Sequence, residues 1–208
     1  MYELIQAGPA SWYIESPAKV GIISAGEKAV YLVDAGGDKD AGRRVRKLLD
    51  EQGWTCKAIL NTHSNADHIG GCKYLQQQYH CPVFAPGMER AFTQYPVLEP
   101  SFLYGGFPPA DLRHKFLMAQ PSEAVELTDP RFPQEVEPIP LPGHFLDMVG
   151  YRAPDGVVFL ADCLSSEATL EKYQVSFIYD VAAYLDTLNM VSELQAPLFV
   201  PAHAAATG

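Results

Sequence analysis

Two histidines, an asparagine and an aspartate stand close together in segment 62–71, which reads Thr-His-Ser-Asn-Ala-Asp-His-Ile-Gly-Gly. An apolar run precedes this segment, and the Gly-Gly pair ends it. Nitrogen and oxygen donors at this density indicate a metal site. His63, Asn65, Asp67 and His68 are therefore candidate ligands, and a complete site needs further donors from elsewhere in the chain.

Three further donors follow apolar runs later in the chain. They are His144 after Pro142-Gly143, Asp162 after Leu160-Ala161, and His203 after Ala202. Each stands where a predicted strand ends, which is where α/β folds usually place their sites. The other two histidines, His80 and His114, are interpreted as surface imidazoles.

The elements that must position these donors are short strands and intervening helices. In the first half, apolar runs predict strands at 2–6, 11–15, 19–24, 29–33, 55–61 and 82–85, and a Gly-bearing turn joins 19–24 to 29–33 as a hairpin. Helices are predicted from Asp38 or Asp40 to Gly53, from His68 to about Tyr79, and over 88–94. The order is therefore β-hairpins followed by βαβαβα, with Asp34 and His63 at strand ends.

The pattern breaks between about residues 95 and 135, where prolines, a Gly-Gly pair and several aromatic residues cluster. A loop of this length inside a compact domain is usually functional or mobile. It is predicted to be a lid or a partner-binding arm, with a simple cover for the core as the alternative.

In the second half, strands are predicted at 136–141, 148–152, 157–161 and 198–200. Residues 178–195 form the clearest amphipathic helix, with Ile178, Val181, Ala182, Leu185, Leu188, Val191 and Leu194 on one stripe. We predict a single domain over residues 1–208, with the 95–135 segment as an insert.

With these motifs in this order, the chain resembles the metallo-β-lactamase-fold superfamily over nearly its whole length. The resemblance rests on Asp34 in Val-Asp-Ala-Gly-Gly, on segment 62–71, and on the motifs that carry His144, Asp162 and His203. It implies an α/β fold, a four-layer αβ/βα sandwich. The resemblance says little about the substrate, because proteins with this fold catalyse many different reactions.

The resemblance also implies a ligand assignment. His63 and His144 would belong to one metal site, and Asp67, His68 and His203 to the other. Asp162 would bridge both, and Asp34 would orient a ligand without binding metal. The implied cofactor is zinc, as one or two ions, with iron or manganese as alternatives.

Asn65 departs from the family motif H-x-H-x-D-H, which usually has histidine at this position. Only the weakly basic carbonyl oxygen of an amide can bind a borderline-soft ion. One hypothesis is graded occupancy, in which the Asp67, His68 and His203 site fills first. The alternative is a degenerate or weakened enzyme.

If the metal is present, the predicted function is hydrolysis of a small-molecule ester, thioester, lactone or lactam by a metal-bound hydroxide. Asp67 would orient this hydroxide, and Tyr104, Tyr173, Tyr179 and Tyr184 are candidate helpers for the oxyanion. The alternative function is a non-catalytic binding or regulatory module with a vestigial metal site. The C-terminal helical domain of glyoxalase-II-like thioesterases would have to follow His203, where only five residues remain.

The charge and composition of the chain indicate which kinds of partner are disfavoured. A net charge of −10 and a pI near 4.9 disfavour nucleic acid, and no apolar run is long enough to span a membrane. Four cysteines without CxxC spacing, and no recognisable leader, predict a cytoplasmic protein. The C-terminus is short compared with the family, which predicts an exposed sheet and a possible homodimer.

Overall fold

The computed structural model describes residues 2–174 and 176–208. Its first sheet has six strands in sequence order: β1 (Glu3–Gln6), β2 (Ser11–Glu15), β3 (Val20–Ser24), β4 (Ala29–Val33), β5 (Thr55–Leu60) and β6 (Val83–Phe84). The first four strands pair antiparallel, as the predicted hairpins require, and β5 and β6 add in parallel. The parallel pairing brings the carboxyl ends of β4 and β5 to the same edge.

The second sheet has four strands in the order β10-β9-β8-β7. They are β7 (Glu137–Pro140), β8 (Val149–Arg152), β9 (Val158–Ala161) and β10 (Phe199–Pro201). Because β9 and β10 pair in parallel, their carboxyl ends also lie together. Asp162 and His203 leave the sheet at this edge.

Helices complete the layers on both outer faces. They are α1 (Lys39–Gln52), α2 (Ala66–Ile69), α3 (Cys72–Tyr79), α4 (Gly87–Gln94), α5 (Leu98–Tyr104), α6 (Glu167–Tyr173) and α7 (Val181–Glu193). Helix α1 begins where the Asp38 side chain accepts a hydrogen bond from the Ala41 amide, and it ends at the left-handed Gly53. Among the described residues, no helix is both long and apolar enough to cross a membrane.

The core lies in three slabs between these layers. Val45 and Leu49 of α1 and Leu75 of α3 pack on the outer face of the first sheet. Between the sheets, Leu60 and Phe84 meet Tyr151 and Phe159, and there is no room at Gly21 for a Cβ, which would lie 2.6 Å from the Phe159 ring. Leu188, Val191 and Leu194 of α7 cover the second sheet. This arrangement confirms the predicted four-layer sandwich.

Three details differ from the sequence expectations. The helix predicted from His68 to Tyr79 is two helices, because Gly70 and Gly71 separate α2 from α3. The 95–135 segment is not an irregular loop, since it contains α5 and a 3₁₀ turn at Ala110–Leu112. On the predicted stripe of α7, Val181 and Leu185 are exposed, because only the later part of the helix packs on the second sheet.

Candidate metal centre

The sheet edges bring the predicted ligands into two clusters. The first cluster contains His63, His144 and Asp162, and the second contains Asp67, His68 and His203. Within each cluster, the potential ligand atoms all lie within 4.8 Å of one another. All six histidine and carboxylate ligands predicted from sequence therefore meet at one place, whereas His80 and His114 lie on the exposed surface elsewhere.

Asp162 lies between the two clusters. Its Oδ1 is 3.0 Å from His68 Nε2, and its Oδ2 is 3.3 Å from His203 Nε2 and 3.5 Å from His144 Nε2. Asp162 follows Ala161, a residue with a left-handed φ of 51° at the end of β9. A non-glycine residue in this conformation stores strain, which is common next to functional sites. The position is the one that a carboxylate shared between two ions would need.

Hydrogen bonds orient the two buried histidines through Asp34. Oδ2 of Asp34 accepts from His68 Nδ1 and from the Thr62 hydroxyl, both at 2.8 Å. Because the Thr62 hydroxyl proton is used in this way, its oxygen accepts from His63 Nδ1 at 3.0 Å. Both rings therefore carry a proton on Nδ1, and their Nε2 atoms point into the clusters.

Backbone carbonyls orient the other two histidines in the same way. His144 Nδ1 lies 3.0 Å from the carbonyl oxygen of Phe177, and His203 Nδ1 lies 2.8 Å from that of Pro17. A carbonyl oxygen can only accept, so each Nδ1 must donate. All four histidines thus present Nε2 to the same region.

Among the described residues, three of these inward atoms are buried and make no hydrogen bond of acceptable geometry. They are His63 Nε2, and the pair His68 Nε2 and Asp162 Oδ1, which lie 3.0 Å apart. Leaving such atoms unpaired in a protein interior costs about 1–3 kcal/mol each. Imidazole nitrogens and carboxylate oxygens around one point are the donor set that zinc takes in proteins, so the residues fit this ion.

Charge and burial shift the pKa values of the cluster residues in opposite directions. Burial, together with His68 and His144, lowers the pKa of His63 well below its usual value. Burial alone would also lower the pKa of His203, but the Asp162 and Asp67 carboxylates raise it to about 10. The pKa of Asp67 is lowered, because the neighbouring His68 and His203 outweigh the opposing effect of burial. The centre therefore holds its carboxylates ionised.

Asn65 lies at the rim of the first cluster. Its Oδ1 is 3.2 Å from His144 Nε2, and its Nδ2 donates to Glu99 Oε1 at 2.9 Å. With the His144 proton on Nδ1, two acceptor atoms face each other at this rim, an arrangement that a cation would stabilise. The amide oxygen of Asn65 is thus directed toward the first cluster.

Two buried glutamates that the sequence did not single out support the site. Glu99 comes from α5 in the insert, and burial raises its pKa to about 8. Glu89 of α4 accepts from the Ser64 amide and from the Asp147 amide, so it joins the loop of the 62–71 motif to the loop after His144. Neither glutamate stands in a recognisable sequence motif. Only their buried contacts in the structure show that they support the site.

Aromatic rings and two cavities surround the centre. Phe145 contacts the His63 ring and packs with Phe92, Phe102 and Phe177. One cavity of about 390 Å³ includes His144, Asp162 and His203 in its lining. Another of about 420 Å³ includes Asp67 and Lys115 of the insert in its lining.

Of the tyrosines predicted as oxyanion helpers, only two line a cavity that contains ligand residues. These are Tyr173 and Tyr184. The Tyr184 hydroxyl donates to the Cys163 carbonyl at 2.8 Å, so its proton is already used. Tyr179 stacks on Phe102, and Tyr104 is exposed. Tyr173 lines the same cavity and its hydroxyl accepts from Lys172 Nζ, so its role as a helper stays a prediction.

Comparison with known proteins gives one family and a set of partial relatives. The family model described as the metallo-beta-lactamase superfamily matches residues 14–203. Hydroxyacylglutathione hydrolases from Rhodopseudomonas palustris (strain HaA2) and Bradyrhizobium sp. (strain ORS 278) are each 32% identical, over 119 and 128 residues. These alignments cover 57% and 61% of this chain. They span only 38% and 41% of the relatives.

Solved structures agree with the fold. A metallo-beta-lactamase from Cronobacter sakazakii, a variant of its HARLDQ motif, superposes with a TM-score of 0.71 at 15% identity, covering 98% of this chain and 81% of that one. The BLEG-1 B3 metallo-beta-lactamase gives 0.67 at 20% identity, with coverages of 100% and 93%. At such identities the likeness concerns the fold alone.

Proposed function

The chain belongs to the metallo-beta-lactamase superfamily, and from this premise we propose that it is a metal-dependent hydrolase of a small-molecule ester, thioester, lactone or lactam. The observation that carries the proposal is the common orientation of four histidines. Each donates a hydrogen bond from Nδ1 to an oxygen acceptor and turns Nε2 toward the cluster that contains Asp162 or Asp67. The name of the partial relatives, hydroxyacylglutathione hydrolase, favours a thioester among these substrates.

The proposed ligands are those inferred from the sequence. His63, His144 and Asp162 would hold zinc in the first cluster, with Asn65 at its rim. Asp67, His68 and His203 would hold it in the second. Zinc, when bound, makes hydroxide available at neutral pH and polarises a carbonyl. Asp34 keeps His68 in the tautomer that ligation needs.

Side chains of the protein would orient the attacking water and keep bulk water away from the site. Asp67 is the proposed catalytic residue, because its side chain is about half exposed and stays ionised beside His203. It would accept a hydrogen bond from the attacking water and keep it aimed at the substrate carbonyl. Phe145 and Phe177 exclude water on the His144 side.

Metal analysis of the purified protein, followed by an ester and thioester panel with and without a chelator, tests this function. We expect bound zinc, and turnover that a chelator abolishes and added zinc restores. Bound metal with no turnover on any substrate would favour the binding or regulatory module instead. No bound metal would contradict both the ligand assignment and the hydrolase.

Asn65→His tests the graded occupancy of the two clusters. In the wild-type protein we expect unequal affinities, with the second cluster filling first. A histidine at position 65 supplies a third nitrogen to the first cluster, so the weaker affinity should rise by about tenfold or more. The measurement is a zinc titration against a chromophoric chelator. Two equal sites in the wild-type protein would contradict graded occupancy.

A further inference from the structure

A second cavity continues the one that opens on the metal ligands. The metal-side cavity, about 390 Å³, contains His144, Asp162 and His203. The distal cavity is about 430 Å³ and lies farther along the groove between α6 and α7. The two share Leu164, Ser165, Ser176 and Tyr184 in their linings, so they adjoin each other along the path followed below. Each has the size of an ordinary small-ligand site.

The distal part of this path is aliphatic. Among the described residues, its own lining adds Leu170 from α6, Ile178 from the connection to α7, Leu188 from α7, and the polar Gln174. The Tyr184 hydroxyl is bonded to the backbone of Cys163, so its ring contributes mainly apolar surface. Leu170 is 48% exposed and Phe177 is 45% exposed, although both are large apolar side chains. Leu170 lines the distal cavity and Phe177 the metal-side cavity, so both leave apolar surface open to a ligand.

Charge narrows the class of ligand. None of the described residues that line the two cavities is a lysine or an arginine. The nearby Lys172 of α6 instead donates to the Tyr173 hydroxyl at 2.8 Å and lies over that ring. A substrate with a carboxylate in this groove would lose its hydration without gaining an ion pair. An uncharged apolar group avoids that cost.

The position of α7 is fixed relative to the metal ligands. The carbonyl of Gly143 accepts from the amides of Tyr179 and Asp180, and that of Pro142 accepts from the Thr187 hydroxyl. A Cβ on Gly143 would lie 2.4 Å from the Tyr184 backbone, so helix and loop are in direct contact. The groove is therefore held in a set position beside His144.

We propose that the metal-side and distal cavities bind the aliphatic acyl chain of an ester or thioester substrate. The inference rests on the proposed hydrolase function and names its substrate class. The scissile carbonyl lies at the clusters, and the chain extends past Tyr184 toward Leu170, Ile178 and Leu188. In the reaction, the oxygen of water bonds to the acyl carbon and the carbon–oxygen or carbon–sulfur bond breaks. The leaving alcohol or thiol takes a proton, and the fatty acid carries the water oxygen.

Chain length is the first test. The zinc-loaded protein is assayed with p-nitrophenyl esters and with N-acetylcysteamine thioesters of acetate, butanoate, hexanoate, octanoate and decanoate. Each buried methylene is expected to raise kcat/KM by up to about fourfold until the distal cavity is filled. Hydrolysis with no dependence on chain length would overturn the acyl-chain assignment while leaving the hydrolase intact.

A matched pair of variants is the second test. Leu170→Asp places a charge in the distal cavity, whereas Leu185→Asp places one on an equally exposed position of α7 that lines neither cavity. We expect Leu170→Asp to reduce the decanoyl-to-acetyl ratio of kcat/KM by at least tenfold, and Leu185→Asp to leave it unchanged. Equal losses in both variants would contradict the proposal.

A binding measurement separates this inference from the hydrolase proposal. Calorimetric titration of the zinc-loaded protein with decanoate and with acetate needs no turnover. Decanoate is expected to bind at least tenfold more tightly than acetate, and Leu170→Asp to remove the difference. If no ester or thioester is hydrolysed but decanoate still binds more tightly than acetate, the hydrolase proposal fails and the assignment of the groove to an acyl chain is kept. If decanoate has no advantage over acetate, the groove assignment fails.

Discussion

Asp34 is the residue on which the orientation of both buried histidines depends. One carboxylate receives hydrogen bonds from His68 Nδ1, from the Thr62 hydroxyl and from the Thr62 amide, all at 2.8 Å. Its backbone has a left-handed φ of 64°, a conformation that aspartate and asparagine tolerate better than other non-glycine residues. Asp34 thus positions His68 directly and His63 through Thr62.

Asp34→Asn is expected to weaken zinc binding about 10- to 100-fold. An asparagine has the same size and tolerates the left-handed backbone. Its NH₂ group would, however, replace one of the two accepting oxygens and face a hydrogen-bond donor of His68 or Thr62. Competition with a chromophoric chelator measures the affinity, and circular dichroism checks the fold. Asp40→Asn, on the exposed face of α1, is the control. Equal affinities in the two variants would show that Asp34 does not position the ligands.

Glu89 couples stability to pH. Burial raises its pKa from 4.5 to about 7, despite hydrogen bonds from Ser64 and Asp147 that act in the opposite direction. Between these values the folded state binds more protons than the unfolded state, so this contribution to stability is complete below about 4.5. It is lost as the pH rises through about 7.

Glu89→Gln should therefore flatten the pH dependence of unfolding between about pH 5 and pH 7. The wild-type slope from this group is at most about 1.4 kcal/mol per pH unit. Urea unfolding of metal-free protein measures both slopes, and every other titrating group is common to the two proteins. The exposed Glu27→Gln variant is the control. A slope unchanged by Glu89→Gln would contradict the assignment, whatever the variant's overall stability.

At the scale of elements, the Gly70-Gly71 break between α2 and α3 allows the loop that follows β4 to pack closely against these helices. The Gly71 amide donates to the Gly36 carbonyl, and the Ala35 amide donates to the His68 carbonyl. A Cβ at Gly71 would lie 2.2 Å from the Ala35 carbonyl oxygen. The glycine pair therefore lets the helix carrying His68 pack against the loop carrying Asp34, which places the two side chains within hydrogen-bond distance.

Gly71→Ala is expected to destabilise the protein by about 1–3 kcal/mol, because the added methyl group must push backbone apart. It should also weaken zinc binding, since the shift separates His68 from Asp34. Denaturant unfolding and the chelator titration measure the two effects. Gly106→Ala, where a Cβ would meet no atom within 4 Å, is the matched control. Similar stabilities for the two variants would mean that the loop adapts to the methyl group.

At the scale of the whole molecule, the two sheets hold the clusters between them. His63 follows β5 of the first sheet, and Asp162 and His203 follow β9 and β10 of the second. A cation bound by both halves would therefore oppose their separation. The homodimer and the cytoplasmic location remain predictions. The single domain over residues 1–208, with an insert at 95–135, also remains a prediction.

Zinc should accordingly raise the melting temperature. At a free concentration about 100 times Kd, binding to the folded state adds about 2.7 kcal/mol, which corresponds to about 5–10 °C for a domain of this size. Scanning fluorimetry of chelator-treated protein with and without zinc gives the shift. His68→Ala should reduce it, because the second cluster loses a ligand. An identical shift in that variant would locate the stabilising zinc elsewhere.

The sequence by itself determined the donors and the elements that deliver them. His63, His144, Asp162 and His203 could be found because each follows an apolar run, and strand ends are local features. The alternation of hairpins and helices predicted the fold class for the same reason. Asn65 was a candidate donor from its neighbours alone, but only the family motif showed that a histidine is usual at its position.

Only the tertiary structure decided what surrounds those donors. Glu89, Glu99 and the groove between α6 and α7 depend on contacts between residues far apart in the chain, which no local pattern encodes. The exposed half of α7 shows the same limit, because an apolar stripe predicts a buried face but not how much of it a neighbour covers. The sequence thus determined which atoms could bind a metal. The fold decided their tautomers, their supports and the shape of the adjoining cavity.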